Sequence, residues 1–525
     1  MKYKDFFSFG LSNPFHLKCL SCLSFVFMFL VCLSAVVSAS IDIQQTNNES
    51  VRQLIKQAEK LTRKGDYAEA EKVLRRAIEI YPQNSKAKLD LGYNLLKQRR
   101  LLEAYDFSFE IAKNEPDNSY AFAVLGATFL SAGNFKEAEL SFLNALRLDK
   151  KQGLAWAGLG MLDFYENRTV RGLENLRAAV HFEPNEPDYL FSLGQVAARS
   201  ENYKEAAAAY EKFLQVSQQT DSERRDRIKG LINFLRFLGN KQSLYVSDGA
   251  KKTVVSFRLI NDRPVIQLKI NKKDEPLNFV LDTGSGISVI SKDTAKKLRI
   301  KPVTRGGLAR AIGGNGKFEI VFGFLRTISI GDVKIKNVPI YIREFYTKGE
   351  KIDGYIGLSL ISKFLTTIDY ENSTFALKKK DLLENNDNNL LSVPLRLTSS
   401  GFLSGEIQLE GIEPKLNFIV DTGASISVIS DELANTKELS PFLRDEKMRV
   451  IGAAGVTENV SSFLLPRVTF GSHSRERIKA IALDLDIINE ASGFQQAGIL
   501  GGNFLKYYRL TFDFENSKVI FVPIK

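Results

Sequence analysis

Two short stretches of this sequence each place a single aspartate among apolar, glycine and hydroxyl residues. FVLDTGSGISVIS contains Asp282, and FIVDTGASISVIS contains Asp421, 139 positions later. Nine of the thirteen positions are identical. Each aspartate follows an apolar run and precedes ISVIS, so we expect its loop to be anchored in a core, where a carboxylate needs partners. A second carboxylate, on an equivalent loop that faces the first, would be one such partner.

Two carboxyl groups at hydrogen-bond distance cannot easily both ionise, so they share a proton. The charged group can draw a proton from water while the neutral group donates to a carbonyl oxygen, which hydrolyses an amide without metal, thiol or histidine. Gly284 and Gly423 would let the two loops approach. The hydroxyls of Thr283 and Thr422 can bond to the opposite loop. A lone D-T-G would be explained by an ordinary turn, but the repetition indicates one site that takes an aspartate from each copy.

The elements that must position these aspartates belong to a duplicated β-region after residue 250, where apolar residues alternate with a period of two. Each copy has a strand pair, the D-T-G turn, a glycine-rich hairpin, more strands, an apolar-apolar-glycine triplet and a closing hairpin. The hairpins are ARAIGGNGKFEI and RVIGAAGVTENV, and the triplets are YIG at 355–357 and ILG at 499–501. We predict all-β lobes at 250–380 and 390–525, joined by a polar linker from Lys378. DTAKKL, DELANT, LSLISKF and GGNFLKY are the short helix candidates.

This order of motifs resembles the aspartic proteases of the retropepsin type (clan AA), over about residues 253–525. The resemblance implies two closed β-lobes that form an intramolecular pseudo-dimer, a peptide or protein substrate, and neither cofactor nor metal. It implies that Asp282 and Asp421 are catalytic. Ser285 matches the pepsin form of the motif, and Ala424 matches the retroviral form, which leaves the pH optimum open. The implied dyad-supporting residues are Thr283, Gly284, Ser285, Thr422, Gly423 and Ala424, and the implied flap residues are Ile312, Gly313, Gly314, Ile451, Gly452 and Ala453.

The first half of the chain repeats with a period of 34 residues. Glycines recur at Gly92, Gly126, Gly160 and Gly194, and the spacing predicts helix–turn–helix units. The pattern resembles about five tetratricopeptide repeats, so we predict an all-α solenoid over 48–240, with residues 224–239 as its terminal helix. Such a stack typically binds a protein partner, although it can also serve as a spacer or block the cleft.

The first 39 residues differ from the rest. Three lysines precede an apolar run of 19 residues, and VSA ends at Ala39. We favour a cleaved export signal, with an uncleaved membrane anchor as the alternative. Both interpretations place the remaining chain outside the cytoplasm, in the periplasm, in the extracellular space or on the outer side of a membrane. The membrane would be contacted only through this segment.

The remaining composition excludes several kinds of chemistry. All three cysteines, Cys19, Cys22 and Cys32, lie in the leader, so the mature chain has no disulfide, thiolate nucleophile or zinc–sulfur site. His181 lies in the repeats and His473 in an expected turn, and neither has neighbours that suggest a triad. Lysine and arginine are dispersed despite a net charge of +11, which argues against nucleic-acid binding.

Two readings of function follow. The first is an exported aspartic endopeptidase whose repeats recruit a substrate or partner. The second is a non-catalytic peptide-binding scaffold that uses the repeat surface and keeps the lobes as a relic. The two intact D-T-G motifs favour the enzyme. A homodimer, in which each lobe pairs with the same lobe of another chain, is a further alternative.

Overall fold

The computed structural model describes residues 49–218, 221–241, 243–271, 273–313, 316–346, 350–380 and 392–524. The predicted leader, the flap residue Gly314 and residues 381–391 of the predicted linker lie outside these ranges. Lys378 and Lys379, which we expected in the linker, instead end a strand.

The N-terminal part consists of helices in antiparallel pairs, one pair for each predicted repeat, followed by a longer terminal helix. The first helix covers described residues 49–64. The others are Tyr67–Ile80, Ser85–Lys97, Leu101–Asn114, Ser119–Ala132, Phe135–Leu148, Gly153–Tyr165, Thr169–Phe182, Pro187–Arg199, Tyr203–Val216 and Ser222–Gly239.

The 34-residue period marks the points where the two helices of a repeat meet. Gly126 faces the ring of Phe142 in the paired helix, and a Cβ at Gly126 would lie 2.7 Å from that ring. Gly160 has the same relation to Leu176, at 2.6 Å. Since real Cβ atoms are not found at such distances, glycine allows the close approach of these two helix pairs, whereas a Cβ at Gly92 would meet its nearest atoms at 3.5 Å.

The first lobe is built from strands with two short helices. Its strands are Val246–Gly249, Lys252–Ile260, Arg263–Ile270, Leu277–Leu281, Val289–Ser291, Thr304–Arg310, Lys317–Ile330, Val333–Arg343, Gly354–Ile356, Phe364–Asp369 and Thr374–Lys379. Its helices are Lys292–Lys297 and Leu358–Ile361.

The second lobe repeats this order. Its strands are Ser392–Pro394, Arg396–Leu397, Leu403–Leu409, Leu416–Val420, Ser427–Ser430, Leu443–Gly452, Gly455–Leu464, Val468–Phe470, His473–Arg475, Lys479–Leu483, Gly498–Leu500, Tyr508–Asp513 and Lys518–Pro523. Its helices are Asp431–Ala434, Asp486–Ser492 and Gly502–Leu505, with a 3₁₀ turn at Ser440–Phe442.

The two lobes are joined by their closing hairpins. Phe364–Asp369 of the first lobe pairs antiparallel with Tyr508–Asp513 of the second, from Thr366 opposite Phe512 to Asp369 opposite Arg509. A single 14-stranded sheet therefore runs through both lobes. One apolar core lies beneath it, and residues of both lobes such as Phe375 and Phe512 are fully buried there. The lobes thus pair within one chain.

The terminal helix connects the repeats to the first lobe. Gly230 lies directly against the backbone of Arg305 and Gly306, in the strand Thr304–Arg310. Phe234 stacks on Phe322 with ring centroids 4.5 Å apart. This helix therefore covers the last repeat on one side and the first hairpin on the other.

The predicted fold class is confirmed: an all-α tetratricopeptide solenoid is followed by two β-rich lobes. The helix Asp486–Ser492 was not predicted. His473, expected in a turn, instead begins a short strand and is buried against Tyr508 and Phe521. Within the described ranges, no helix is long and apolar enough to cross a membrane.

Candidate active site between the two lobes

The two D-T-G loops leave equivalent strands in the two lobes. Strand Leu277–Leu281 lies parallel to Gly354–Ile356, and the Asp282 amide donates to the Ile356 carbonyl at 3.0 Å. In the second lobe the Asp421 amide donates to the Leu500 carbonyl, also at 3.0 Å. The apolar-apolar-glycine triplets therefore hold the backbone of each aspartate.

Reciprocal hydrogen bonds lock the two loops together through their threonines, which are fully buried. The amide of Thr283 donates to the Thr422 hydroxyl at 3.2 Å, and the Thr422 amide donates to the Thr283 hydroxyl at 3.0 Å. Each hydroxyl also donates to a carbonyl of the opposite strand, Val420 or Leu281, at 2.7 Å. Every polar group of this interlock has a partner in the other lobe.

The loops bring the two carboxyl groups into direct contact. Asp282 and Asp421 are hydrogen-bonded to each other. A Cβ at Gly423 would lie 2.6 Å from the Asp282 carboxyl carbon, and a Cβ at Gly284 would overlap that of Asp421. Only glycine fits at these two positions.

The two carboxyl groups differ in their surroundings. Burial and the negative charge of Asp421 raise the pKa of Asp282 well above its usual range, and the Arg343 guanidinium opposes this shift. Burial also raises the pKa of Asp421, but its Oδ1 accepts amide hydrogen bonds from Gly423 at 2.7 Å and from Ala424 at 3.1 Å. The amides of Gly423 and Ala424 therefore favour the ionised form of Asp421 over that of Asp282.

Two hairpins cover the dyad and meet at their tips. Strands Thr304–Arg310 and Lys317–Ile330 form the first, and Leu443–Gly452 and Gly455–Leu464 form the second. The Ala454 amide donates to the Ile312 carbonyl at 3.0 Å. The backbone of Gly313 lies against Gly455 and Gly452. The flaps are closed over the cleft in this structure.

The cleft continues into the inner face of the repeats. A cavity of about 2930 Å³ is lined by both aspartates and by repeat residues such as Tyr93, Phe191 and Gln195. The flap residues Ile312, Ile451, Gly452 and Ala453 line the same cavity. Gln195 lies on the helix Pro187–Arg199, so the repeats form a wall of the space above the dyad.

Most sequence-predicted site residues lie together. Ser285 differs from the others because its hydroxyl does not bond to the opposite lobe. It donates to the Ile287 carbonyl at 2.9 Å, within its own loop. Across the described ranges, no group of three or more His, Cys, Asp or Glu side chains is placed to hold a metal ion.

Sequence reasoning missed three residues of the cleft wall, namely Arg263, Arg343 and Tyr355. A position-by-position comparison of the two copies would have found them, because apolar residues occupy the equivalent positions of the second lobe. Arg343 ends a strand, where an arginine is commonly solvent-exposed, so the sequence alone did not distinguish it.

The family comparisons agree with this architecture. The aspartyl protease family matches residues 266–360 and 406–504, one segment in each lobe. Two tetratricopeptide repeat families match residues 61–127 and 157–221. The chain is thus a tetratricopeptide repeat region fused to a retropepsin-like aspartyl protease domain in two segments, which confirms the resemblance predicted from the motifs.

Individual relatives are distant. Anaphase-promoting complex subunit 3 of Schizosaccharomyces pombe is 24% identical over 118 residues, which are 22% of this chain and 18% of that protein. The thermophilic tetratricopeptide protein TTC0263 of Thermus thermophilus is 18% identical, covers 35% of this chain and 99% of its own, and has a TM-score of 0.31. PilF of Pseudomonas aeruginosa is 16% identical, covers 37% of this chain and 89% of its own, and has a TM-score of 0.28.

Proposed function

We propose that this protein is an aspartic endopeptidase that hydrolyses peptide bonds with a water molecule activated between Asp282 and Asp421. The observation that carries the proposal is the pair of hydrogen-bonded carboxyl groups, one from each lobe, held by reciprocal threonine bonds beneath two flaps. A binding module has no use for two buried acidic groups that share a proton, because such a pair is costly to bury.

In the proposed reaction the two carboxyl groups act in opposite senses. The Asp421 carboxylate takes a proton from water, whose oxygen attacks the scissile carbonyl carbon while Asp282 donates its proton to the carbonyl oxygen. When the resulting diol collapses, Asp421 donates its proton to the nitrogen and the C–N bond breaks. One diol hydroxyl gives its proton to Asp282 as it becomes the carbonyl of the new carboxylic acid, so an amine and an acid leave the site. The dyad returns with one proton. Closed flaps would exclude bulk water, which strengthens the electrostatic interactions of the dyad with the reacting groups.

We also propose that the repeats recruit the substrate or a protein partner. The support is the shared cavity, in which repeat residues and both aspartates line one continuous space. A polypeptide segment held along the inner face of the repeats would lead directly to the dyad.

Export is proposed from residues 1–39 alone. A reporter protein fused to these residues should appear outside the cytoplasm, whereas the same fusion without the apolar run should stay inside. Retention of both fusions would contradict the proposal.

Active-site titration with a statine-type inhibitor tests the proposed chemistry. The wild-type protein should cleave members of a mixed peptide library between pH 3 and 8, and one equivalent of inhibitor should abolish cleavage. The Asp421→Asn variant, which keeps the shape of the site, should neither cleave nor bind the inhibitor tightly. A wild-type protein that leaves every peptide intact and does not bind the inhibitor would favour the scaffold function.

A further inference from the structure

The two halves of the cleft differ in charge although the lobes share one fold. The lobes can be superposed through their strand pairing, since Val280 pairs with Val265 as Ile419 pairs with Ser404. Arg263 lies two residues before Val265, and Phe402 lies two residues before Ser404, so the two residues occupy equivalent positions. Both residues line the cavity.

Two further positions show the same contrast. Ser291 pairs with Arg343 in the first lobe, and the equivalent Ser430 pairs with Leu483 in the second. Tyr355 follows the glycine that pairs with Phe279, and Ile499 follows the glycine that pairs with Phe418. Arg343, Leu483, Tyr355 and Ile499 line the cavity. At these three equivalent positions, the first lobe therefore has Arg, Arg and Tyr, whereas the second has Phe, Leu and Ile.

Arg343 is held in place without a carboxylate partner among the described residues. Its guanidinium carbon lies 5.4 Å from the ring centre of Phe345, 5.7 Å from Phe318 and 5.8 Å from Tyr355, within the range of cation–π attraction. Its Nη1 donates to the Ala453 carbonyl of the second flap at 2.9 Å. No carboxylate oxygen of the described chain lies within 4.0 Å of its nitrogens.

Apart from Asp282, whose raised pKa the Arg343 guanidinium opposes, the neighbouring acidic side chains are engaged elsewhere. Glu344, next in sequence, binds Lys292 at 3.0 Å. Glu319 binds Arg305 and Lys292. Arg343 therefore keeps unused donors in the cleft, and an arginine presents up to five N–H groups suited to a carboxylate.

The second-lobe wall offers the opposite chemistry. Leu483 and Ile499 belong to a buried apolar cluster that also includes Val428 and Ile481. Phe402 and the flap residue Ile312 pack against this cluster. An apolar side chain placed here would lose its water-exposed surface, which is favourable.

We propose that the cleft selects a polypeptide with an acidic side chain on the first-lobe side of the scissile bond, bound by Arg343, and an apolar side chain on the second-lobe side. This inference rests on the proposed function, because it names the substrate of the same site. Arg263 adds positive charge beside Tyr355, but the proposed contact between Arg343 and the acidic side chain does not require it.

Four matched peptides test the proposal in both substrate orientations. They are Ala-Ala-Leu-Glu-Ala-Ala, Ala-Ala-Glu-Leu-Ala-Ala and their Gln counterparts, each with a fluorescence-quenching pair for cleavage and a fluorescein label for binding. The Glu peptide should be cleaved with a kcat/KM about tenfold to 100-fold above its Gln counterpart in one of the two orders, the factor that a charge-assisted hydrogen bond supplies.

Four variants separate the subsite from general damage. Arg343→Leu installs the second-lobe residue and should remove the Glu preference, while Arg343→Lys keeps the charge and should retain most of it. Leu483→Arg should add acceptance of Glu in the other order. Arg467→Gln removes an exposed arginine that binds Glu476 at 2.7 Å, and it should change nothing.

The binding arm distinguishes failure of this inference from failure of the proposed function. Peptide affinities are measured by fluorescence polarisation in the Asp282→Asn background, where cleavage is blocked. Cleavage without a Glu preference would overturn the acidic subsite and leave the protease standing. A Glu preference in binding without wild-type cleavage would support the subsite and contradict the protease, and equal affinities would overturn the subsite.

Discussion

At the residue scale, the two carboxyl groups of the dyad have unequal surroundings. Asp421 accepts two amide hydrogen bonds from its own loop, whereas Asp282 is raised in pKa by burial and by Asp421 itself. One proton is therefore shared, and its position is defined before substrate arrives. This is the preorganisation that acid–base hydrolysis of an amide requires.

The raised pKa of Asp282 predicts that Asp282→Asn stabilises the protein, and that this stabilisation becomes larger as the pH rises. Above the unfolded-state pKa, 3.8, the folded protein keeps a proton that the unfolded chain releases, so its stability falls with pH until the raised folded pKa is passed. The slope is about 1.4 kcal/mol per pH unit for one proton. Asparagine removes this dependence, so the gain in melting temperature should increase between pH 4 and 7.

Scanning calorimetry at pH 4, 5.5 and 7 measures this gain. Asp421→Asn is the comparison variant. It removes the negative charge that helps raise the pKa of Asp282, but burial, which is the larger cause, remains, so its gain should be smaller. A gain that is absent or equal at every pH would contradict the assignment of the shared proton to Asp282.

The threonine interlock makes a second prediction at this scale. Thr283→Val removes the hydroxyl that accepts from the Thr422 amide and donates to the Val420 carbonyl, and leaves both groups buried without that partner. The expected loss is about 1–3 kcal/mol of unfolding free energy. Thr283→Ser keeps the hydroxyl and should lose less in urea unfolding. Equal losses for the two variants would show that the methyl packing, not the hydrogen bonds, joins the loops.

At the scale of elements, the first flap is held by a helix of the repeat region. Arg227 donates to the Leu308 carbonyl at 2.9 Å, and Lys317 binds Glu223 at 2.8 Å. The second flap pairs with the strand Lys479–Leu483 of its own lobe. For the first flap to open, its contacts with the terminal helix must therefore break.

Gly230→Ala should loosen this contact and expose the first flap. A Cβ at Gly230 would overlap the backbone of Arg305 and Gly306, and overpacking of this kind costs about 1–3 kcal/mol. Hydrogen exchange of the strand Thr304–Arg310 should become faster. Gly239→Ala in the same helix is the control, because its Cβ would lie 3.1 Å from the Lys204 side chain and 3.6 Å from the Lys204 nitrogen and the Tyr203 Cβ, without overlapping the backbone. Unchanged exchange in Gly230→Ala would show that the helix does not restrain the flap.

Sequence patterns predicted most elements because the patterns are local. Tyr67, Leu101, Phe135 and Tyr203, which recur at the repeat spacing, each begin the second helix of a pair. The helix Asp486–Ser492 has local end signals, since the Asp484 side chain accepts from the Asp486 amide and Gly493 ends the helix in a left-handed conformation. It was missed because it is only 7 residues long, and residues outside it also hold it. Arg99 of the repeats donates to the Asn489 carbonyl at 3.3 Å, and the Asn489 side chain accepts from the Gln496 amide at 2.7 Å. No local pattern records such contacts.

At the scale of the whole molecule, the repeats lie against both lobes. Glu201 of the repeats binds Lys363 of the first lobe. On the second lobe, Asn167 donates to the Phe514 carbonyl at 2.8 Å, and the ring centroids of Phe135 and Phe494 lie 5.0 Å apart. Nothing in the sequence distinguishes these side chains from other loop and helix residues. The sequence therefore predicted the repeats and the two lobes but not how they are arranged. The arrangement is what places the inner face of the repeats over the cleft.

Gln195→Trp tests whether substrates pass along this inner face. The larger side chain should narrow the cavity at the repeat wall and slow cleavage of a long unfolded protein by at least about tenfold, while a six-residue peptide is cut as before. Lys212→Trp, which adds the same bulk at an exposed position outside the cavity, should affect neither substrate. Equal rates for Gln195→Trp and wild type on the long substrate would contradict recruitment along the repeats.

The central claim is that one chain builds one dyad from its two copies. Peptide cleavage is measured for the wild type, for Asp282→Asn, for Asp421→Asn and for an equimolar mixture of the two variants. The wild type should cleave, both variants should be inactive, and the mixture should remain inactive because each dyad is intramolecular. Activity of either variant alone, or recovery in the mixture, would contradict the single-chain dyad.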